Sequence, residues 1–319
     1  MKHIFIINPR AGKEKENISV HVRSYIASHP ELGALVFNTE YCGHETVLVG
    51  RLCHIFEDET IRLYICGGSG TLCRAICGIP NFALVEVAFY PCGITNDILK
   101  VFEGEETPFK DLSALVSGTP MYLDLLDFGK GKALNFCSSG YAGKVASDVN
   151  SLARWSIVGT RLPYFVSIMR NSFSLLSSHY MMTADGVDVS GHETMVTALN
   201  GTTFGGSFTP MRSVCPVNGK MKLLMYDSPS FFSILPGARA IEKGELFKLG
   251  KNIRVLECTE LTMGMPENRK MYFTADGEMF EMGDKQNSVT IRVLPASLKF
   301  VLPSGVALKT QCREAEEGE

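Results

Sequence analysis

The sequence predicts two folded domains, an α/β domain built on a parallel sheet and a β-rich domain after it. In about the first 120 residues, short apolar runs alternate with segments of helical periodicity, a pattern typical of parallel βαβ units. Later runs are shorter and are separated by turn pairs such as Asp185-Gly186 and Asp276-Gly277, which indicates antiparallel strands. We therefore expect domains over residues 1–122 and 123–295.

Four strands and their connecting helices are predicted in the first domain. The strands are expected at residues 3–7, 34–39, 61–66 and 85–90, and helices are expected after the turn at residues 8–13 and from Gly43. The third strand is apolar apart from Arg62, which is typical of a strand buried on both faces of a sheet. Such alternation implies right-handed helical crossovers between parallel strands.

A glycine-rich turn follows the third strand. Gly67, Gly68 and Gly70 would let the backbone adopt positive φ angles and approach a ligand closely. A helix predicted from Thr71 would direct free amide N–H groups and a positive dipole end at whatever lies over the turn, which favours a phosphate. The alternative is a tight strand-to-helix connection without a ligand. Neither the Walker pattern nor the dinucleotide G-x-G-x-x-G pattern is present.

Polar or glycine-rich loops follow all four predicted strands. Asn8, Thr39, the turn Gly67–Thr71 and the segment Gly93–Asp97 each come directly after a strand. Because ligands bind beyond the carboxyl ends of parallel strands, we expect these loops to converge on one edge of the sheet. Four such loops indicate a binding site more strongly than any one of them.

Composition excludes several classes of function. The formal net charge of −3 gives no global basic field, so we predict no nucleic-acid partner. The ten cysteines contain no C-x-x-C pair and are predicted to be buried thiols rather than a disulfide framework or a zinc site. No H-E-x-x-H motif occurs, and we assign no metal-ligating residue. The N-terminal apolar run is too short for a signal peptide, and a soluble cytoplasmic protein is expected.

Five segments resemble the motifs of the diacylglycerol kinase catalytic family, which includes bacterial lipid kinases and sphingosine kinases and is related to NAD kinases. The family motifs are N-P-x-x-G, T-x-x-x-G-x-A, G-G-D-G-T, P-x-G-T-x-N-D and a late D-G-E. Their counterparts here are Asn8-Pro9-Arg10-Ala11-Gly12, Thr39 to Gly43, Gly67-Gly68-Ser69-Gly70-Thr71, Pro91 to Asp97, and Asp276-Gly277-Glu278. Order and spacing match along nearly the whole chain.

The resemblance implies a fold and an activity. It implies an α/β nucleotide domain and a β-sandwich, with the nucleotide between them and residues 296–312 returning to the first domain. The acidic composition of residues 313–319 separately predicts a disordered tail. It implies transfer of the ATP γ-phosphate to a lipid hydroxyl, on a diacylglycerol-like or sphingoid acceptor. Two alternatives stay open: a nucleotide-binding regulatory protein without efficient transfer, and a soluble-substrate kinase of the NAD-kinase type.

The resemblance also implies residue roles. The residues that would hold the nucleotide are Asn8, Pro9, Gly12, Thr39, Gly43, Gly67, Gly68, Ser69, Gly70, Thr71, Gly93, Thr95 and Asn96. Either Thr95 or Asn96 could instead support the turn. Asp276 would be the general base, with Glu278 beside it, and an extended chain would place both carboxylates on the same side. The alternative for Asp276-Gly277 is an ordinary hairpin turn.

The sequence departs from the family at charged positions. Ser69 replaces the aspartate of G-G-D-G-T, Arg74 replaces a glutamate, and Ile94 replaces a threonine. Val217-Asn218-Gly219 replaces an acidic stretch that holds a structural magnesium in bacterial members. ATP and Mg²⁺ remain the implied cofactors, but the structural Mg²⁺ site should be lost. Arg74 either supplies the missing positive charge near the phosphates or is a solvated helix residue.

One segment has the composition of a surface that contacts a lipid substrate or a membrane. Leu152–Arg170 contains several arginines and the only tryptophan, Trp155. This composition favours a membrane interface or the entrance of a lipid cleft, and the alternative is an amphipathic helix packed on its own domain. The expected partners are ATP, a lipid substrate and peripherally the inner membrane face, and a homodimer is left open.

Overall fold

A computed structural model of the chain describes residues 1–11, 18–93, 96–140, 178–204, 208–228, 231–266, 271–280 and 287–309. The chain separates into two compact units, Met1–Asp124 with Pro295–Glu319, and Leu125–Leu294. The boundaries expected from the sequence were 122/123 and 295/296. The tail at 313–319, the arginine-rich segment around Trp155, Gly12 and Thr95 lie outside the described residues.

Unit 1 is an α/β domain with a parallel sheet, as predicted. Its strands are β1 Lys2–Ile7, β2 Leu35–Asn38, β3 Ile61–Gly67 and β4 Val85–Pro91, and its helices are α1 Ile18–Ser28, α2 His44–Ile55, α3 Ser69–Cys77 and α4 Leu112–Val116. The parallel order is β4-β3-β1-β2. Every residue of β3 is buried, which its apolar run predicts.

The one charged residue of β3 is neutralised inside the sheet. Arg62 forms an ion pair with Glu86 of β4, with an N–O distance of 2.7 Å, and donates to the carbonyl oxygen of Val116 at 2.8 Å. A buried charge is tolerated only when it is paired and hydrogen-bonded, and both conditions hold here. Arg62 thus links β3 to β4 and to the end of α4.

Unit 2 is built from antiparallel strands. The elements that complete the chain are β5 Thr119–Asp127, β6 Lys132–Ala133, β7 Phe136–Gly140, β8 Ser178–Ala184, β9 Val187–Asp188, β10 Gly191–Glu193, β11 Met195–Leu199, β12 Met221–Tyr226, α5 Phe231–Glu242, β13 Ile253–Cys258, β14 Glu260–Gly264, β15 Phe273–Ala275, β16 Glu278–Phe280 and β17 Ser288–Leu302. One sheet has the order β13-β12-β11-β7-β15-β16, and the other contains β10-β8-β14-β17.

The two sheets of unit 2 enclose an apolar core. Tyr180 and Met263 from one sheet and Val196 and Phe273 from the other belong to the same buried cluster. Facing antiparallel sheets with a shared core form the β-sandwich arrangement that the resemblance implied. The last residues of β17 leave this unit and pair in parallel with β4, with Phe300 opposite Val87.

One apolar run of unit 2 is divided. The apolar run at residues 133–138, which alone would suggest a single strand, is shared by two: β6 ends at Ala133 and pairs with β5, whereas β7 begins at Phe136 and joins the other sheet. Leu134 and Asn135 lie between them because their backbone N–H groups bond to the side chain of Asp276 instead of to a strand. This contact joins residues about 140 positions apart, so no local pattern could predict it.

Cysteine chemistry differs from the prediction at one position. Within the described ranges eight cysteines are free thiols, and most of them are buried or half-buried. Cys215, however, is disulfide-bonded, so the prediction that the cysteines are thiols is wrong there. Among the residues that the structure describes, no helix is both long enough and apolar enough to cross a membrane.

Candidate functional site

The loops after β1, β2, β3 and β4 form one edge of the sheet in unit 1. Asn8 follows β1 and its N–H donates to the carbonyl oxygen of Cys66 at 2.9 Å, while the N–H of Thr39 after β2 donates to that of Ile7 at 2.8 Å. The N–H of Gly93 after β4 donates to Gly67 at 3.2 Å. We call these four loops the glycine edge. It is where α/β sheets bind ligands.

The glycines of this edge are required by close backbone approach. A Cβ on Gly93 would lie 2.4 Å from the Cα of Gly68, and a Cβ on Gly67 would lie 2.6 Å from the side chain of Thr71. Positive φ angles were expected at Gly67, Gly68 and Gly70, but none of the three has one. That expectation is wrong, because α3 begins directly at Ser69 and the chain enters it from an extended Gly68.

Asn8 and Thr71 tie the first loop to the glycine turn. Asn8 Nδ2 donates to Thr71 Oγ1 at 2.9 Å, and Asn8 Oδ1 accepts from the N–H of Arg10 at 3.0 Å. Both ends of the Asn8 amide are therefore used within the protein. Thr71 is buried, whereas Pro9 is exposed. Thus Asn8 and Thr71 shape the edge, and their predicted contact with a nucleotide stays a prediction.

Asn96 supports the loop after β4 and leaves one acceptor unused. Its side chain is buried, and Nδ2 donates to the carbonyl oxygen of Gly93 at 3.2 Å and to Glu106 Oε1 at 3.0 Å. Its Oδ1 is buried and has no hydrogen-bond partner within the described structure. An unpaired buried acceptor costs free energy, so Asn96 is held in this position at the expense of stability.

Arg74 is paired with a buried carboxylate and is not a freely solvated helix residue, while a role near the phosphates stays a prediction. Its Nε lies 3.2 Å from Glu45 Oε2, and the Glu45 side chain is only 2% exposed. Thr46 Oγ1 also donates to the carbonyl oxygen of Arg74 at 2.8 Å. Arg74 therefore joins α3 to α2. Gly43, directly before α2, has a φ of 87°. Ser69, half-exposed, is the first residue of α3.

Asp276 occupies a two-residue hairpin loop in unit 2. Ala275 of β15 pairs with Glu278 of β16, and the two residues between them have φ angles of 47° and 83°. Positive φ at both positions defines a type I′ turn, for which Asp-Gly is a preferred pair. The hairpin interpretation is therefore correct for the backbone. It does not explain the side chain of Asp276, which is only 9% exposed.

Three backbone N–H groups hold the Asp276 carboxylate. Oδ2 accepts from Leu134 at 2.7 Å, and Oδ1 accepts from Asn135 and from Phe136, each at 2.9 Å. Burial raises the pKa of Asp276 to about 6, although these three hydrogen bonds oppose the shift. A carboxylate with a pKa near neutral pH is well matched to general base catalysis.

Glu278 acts on Asp276 through its charge. It begins β16 and raises the pKa of Asp276. The expectation that an extended chain sets both carboxylates on the same side is wrong, because Asp276 and Gly277 form the turn and the alternation of an extended strand does not apply. The two acids are close in sequence but belong to different local structures.

The part of the chain that the structure describes offers no cluster of acidic side chains for a magnesium ion. Within the described ranges, no group of three or more His, Cys, Asp or Glu side chains could hold a metal ion. At the stretch where the family has acids, Asn218 Oδ1 accepts from the N–H of Lys220 at 3.2 Å, and Gly219 has a φ of 69°. This is a local turn closed by its own amide, and it offers no carboxylate.

Comparison with known proteins shows which family the chain resembles. Residues 2–128 match the model of the diacylglycerol kinase catalytic domain. A candidate lipid kinase of Staphylococcus haemolyticus (strain JCSC1435) is 24% identical over 247 residues, which are 77% of this chain and 78% of that protein. The resemblance predicted from the motifs is confirmed, whereas the equivalence of Gly67–Thr71 with the family's G-G-D-G-T stays a prediction.

Solved structures agree on the fold. A candidate diacylglycerol kinase from Bacillus anthracis str. Sterne has a TM-score of 0.73 and 20% identity, covering 96% of this chain and 98% of its own. An NAD kinase from Archaeoglobus fulgidus, solved in complex with ATP, has a TM-score of 0.51 and 13% identity, covering 95% and 94%. These similarities confirm the predicted fold class, an α/β domain with a parallel sheet followed by an antiparallel β domain.

Proposed function

We propose that the protein is an ATP-dependent lipid kinase that transfers the γ-phosphate to a hydroxyl of a diacylglycerol-like or sphingoid lipid. The observation that carries this proposal is Asp276, a buried carboxylate with a pKa of about 6 held by three amides, in a chain whose residues 2–128 match the diacylglycerol kinase catalytic domain. A hairpin turn alone has no need of such a side chain.

The glycine edge supports the nucleotide part of the proposal. The N-terminus of α3 presents amide N–H groups and a positive dipole end, and the close approach of Gly68 to Gly93 leaves the backbone bare of side chains. Asn96 fixes the loop after β4 through its Nδ2 bonds to Gly93 and Glu106. A solved structure of similar fold contains ATP. We therefore assign this edge to ATP.

Asp276 would be the base of the reaction. It takes the proton of the lipid hydroxyl, whose oxygen forms a bond to the γ-phosphorus while the bond from that phosphorus to the bridging oxygen of ADP breaks. The proton ends on the Asp276 carboxyl. Magnesium bound to the nucleotide would neutralise phosphate charge, and we assign it no residue of this chain. Since the acceptor lipid is held in a bilayer, the protein would work at a membrane surface.

One alternative is favoured by a specific observation. Ser69 and the Asn218 turn lack the carboxylates of the family, and the described residues offer no other acidic cluster. A nucleotide-binding protein without efficient transfer would have the same features. It would bind ATP at the glycine edge and transfer no phosphate.

The test is transfer of labelled phosphate from Mg-ATP to a mixed lipid panel in micelles, by wild type and by Ser69→Asp, with NAD as a soluble acceptor. We expect labelling of a lipid by the wild type, and the labelled species names the acceptor. Labelling of NAD instead would replace the lipid with a soluble substrate. ATP binding without transfer to any acceptor would reject the kinase proposal in favour of the regulatory protein.

A further inference from the structure

The segment Leu134–Phe136, here called the cradle segment, leaves the strand pattern to surround one carboxylate. Its three consecutive N–H groups all bond to Asp276. Consecutive amides of a strand point alternately to opposite sides, so their convergence requires the chain to be held out of the sheet. The N–H of Asp276 donates in return to the carbonyl oxygen of Phe136 at 3.0 Å. Residues outside the hairpin also bond to the cradle segment.

Two buried asparagines hold it. Asn200 Nδ2 donates to the carbonyl oxygen of Leu134 at 2.7 Å, and the backbone N–H groups of Asn200 and Gly201 donate to that of Asn135 at 2.8 and 2.9 Å. The side chain of Asn135 donates in turn from Nδ2 to the carbonyl oxygen of Thr203. Asn135 and Asn200 are 4% and 0% exposed, so these bonds form away from water.

Gly201 makes this contact possible. An added Cβ at Gly201 would lie 1.7 Å from Asn135 Oδ1, although the φ of Gly201 is not positive. Asn135 Oδ1 is itself buried without a hydrogen-bond partner in the described structure. The unpaired Oδ1 of Asn135 and the missing side chain of Gly201 therefore lie at the same point in the structure. That combination costs stability, so it indicates a geometric requirement at the cradle segment.

We propose that Asn135 and Asn200 are positioning residues, which hold the cradle segment so that Asp276 Oδ1 is saturated and Oδ2 is the atom that receives the substrate proton. Oδ1 takes two amide bonds and Oδ2 takes one, and each carboxylate oxygen has two acceptor positions. Only Oδ2 therefore keeps a position open. The identity of the proton donor rests on the proposed function, whereas the control of Asp276 by the two asparagines does not.

Titration of Asp276 gives this proposal a measurable consequence. The three amide bonds favour the ionised carboxylate and hold its pKa below the value that burial alone would produce. Glu278 is the charged group that acts on Asp276 among the described residues, and it raises the pKa. A cradle segment that is no longer held should therefore make Asp276 still harder to ionise.

The experiment is NMR titration of Asp276 in protein labelled with ¹³C at aspartate carboxyls, with the signal assigned by its absence in Asp276→Asn. We expect a wild-type midpoint near 6. Asn200→Ala removes the bond to Leu134, and Gly201→Ala displaces Asn135. Both should raise the midpoint by about one pH unit, since each lost amide bond weakens stabilisation of the ion.

The matched control is Asn287→Ala. Asn287 Nδ2 holds another carbonyl oxygen of unit 2, that of Pro266, at 3.0 Å. This variant loses a side-chain bond to a carbonyl oxygen at an exposed position away from the cradle segment, and should leave the Asp276 midpoint unchanged. If both cradle variants shift the midpoint, the acid limb of the transfer rate should move with it, while the KM for ATP stays within a few-fold.

The outcomes separate the two proposals. A shifted midpoint in a protein without transfer activity would support the positioning roles and reject the kinase. A folded Asn200→Ala or Gly201→Ala with the wild-type midpoint would overturn the positioning roles even in an active kinase. If neither variant folds, the wild type still decides: a midpoint at the ordinary aspartate value of about 4 would mean that this environment does not control Asp276.

Discussion

The glycine edge of unit 1 and the Asp276 hairpin of unit 2 achieve a defined geometry by opposite means. At the glycine edge, the backbone of Gly93 packs against the backbone of Gly68, so closely that the Cα of Gly68 excludes a Cβ on Gly93. At the hairpin, one side chain collects amides from residues 140 to 142 positions away in sequence. The glycine edge depends on the absence of side chains at its glycines, and the hairpin depends on hydrogen bonds from backbone N–H groups to Asp276.

This difference determines how each region fails. An added methyl group is enough to disturb the glycine edge, because close-packed backbone cannot move aside. At the hairpin we expect changes in charge or in hydrogen bonding to have the largest effect, because the proposed role of Asp276 depends on its protonation. The four predictions below test this contrast, from the largest effect to the smallest.

Asp276→Asn should lower phosphate transfer about 1000-fold, the scale of a lost general base, with ATP affinity within a few-fold of wild type. Asparagine also accepts positive φ in a type I′ turn, so the hairpin backbone should persist. Initial rates on the labelled lipid and ATP titration by calorimetry measure both effects. A fully active variant would remove Asp276 as the base.

Gly93→Ala should lower ATP affinity about 100-fold and cost about 3 kcal/mol of unfolding free energy, because the new Cβ overlaps the backbone of Gly68. Gly50→Ala is the control: it lies in α2, and its Cβ would be 3.4 Å from the carbonyl oxygen of Gly78. That change should stay within about 1 kcal/mol of wild type. Equal ATP affinity in both variants would contradict the assignment of the glycine edge.

The contribution of Asp276 to stability should fall as pH rises from 4 to 6. The folded pKa of Asp276 is raised from 3.8 to about 6, so the folded state binds the proton more tightly than the unfolded chain. The resulting contribution is complete below pH 4 and is lost as pH rises through 6, an effect of about 3 kcal/mol. Urea unfolding of wild type and Asp276→Asn at several pH values isolates it. Parallel pH curves for the two proteins would exclude a raised pKa.

Arg74→Met should cost about 2 kcal/mol of unfolding free energy, because it leaves the buried Glu45 carboxylate without its ion-pair partner. Glu45→Gln in the same chain should restore most of that loss. ATP affinity should not change, since Arg74 joins two helices. A large drop in ATP affinity at unchanged stability would instead assign Arg74 to the phosphates.

Much of unit 1 was predictable because its information is local. Apolar runs placed the strands, and parallel order brought Asn8, Thr39, Gly67 and Gly93 to the same edge. The motifs in these loops also indicated the family that the chain resembles. The reason for the glycines was predicted wrongly, because φ angles depend on how Gly68 enters α3.

The supporting residues of unit 2 were not predictable in the same way. Asn200-Gly201 is a turn pair in the sequence, and nothing local marks Asn135. Both acquire a role only when strands from distant parts of the chain bring their amides to Leu134 and Thr203. Arg74 is a similar case, since its partner Glu45 lies on another helix.

The sequence alone determined the order of the strands and helices, the loops that meet at the glycine edge, and the turn at Asp276-Gly277. These follow from periodicity and turn chemistry over a few residues. Only the tertiary structure decided that Gly68 and Gly93 touch, that Arg74 pairs with Glu45, and that three amides surround Asp276. Such contacts depend on packing between distant segments, where burial, rather than local preference, sets the cost of every unpaired group.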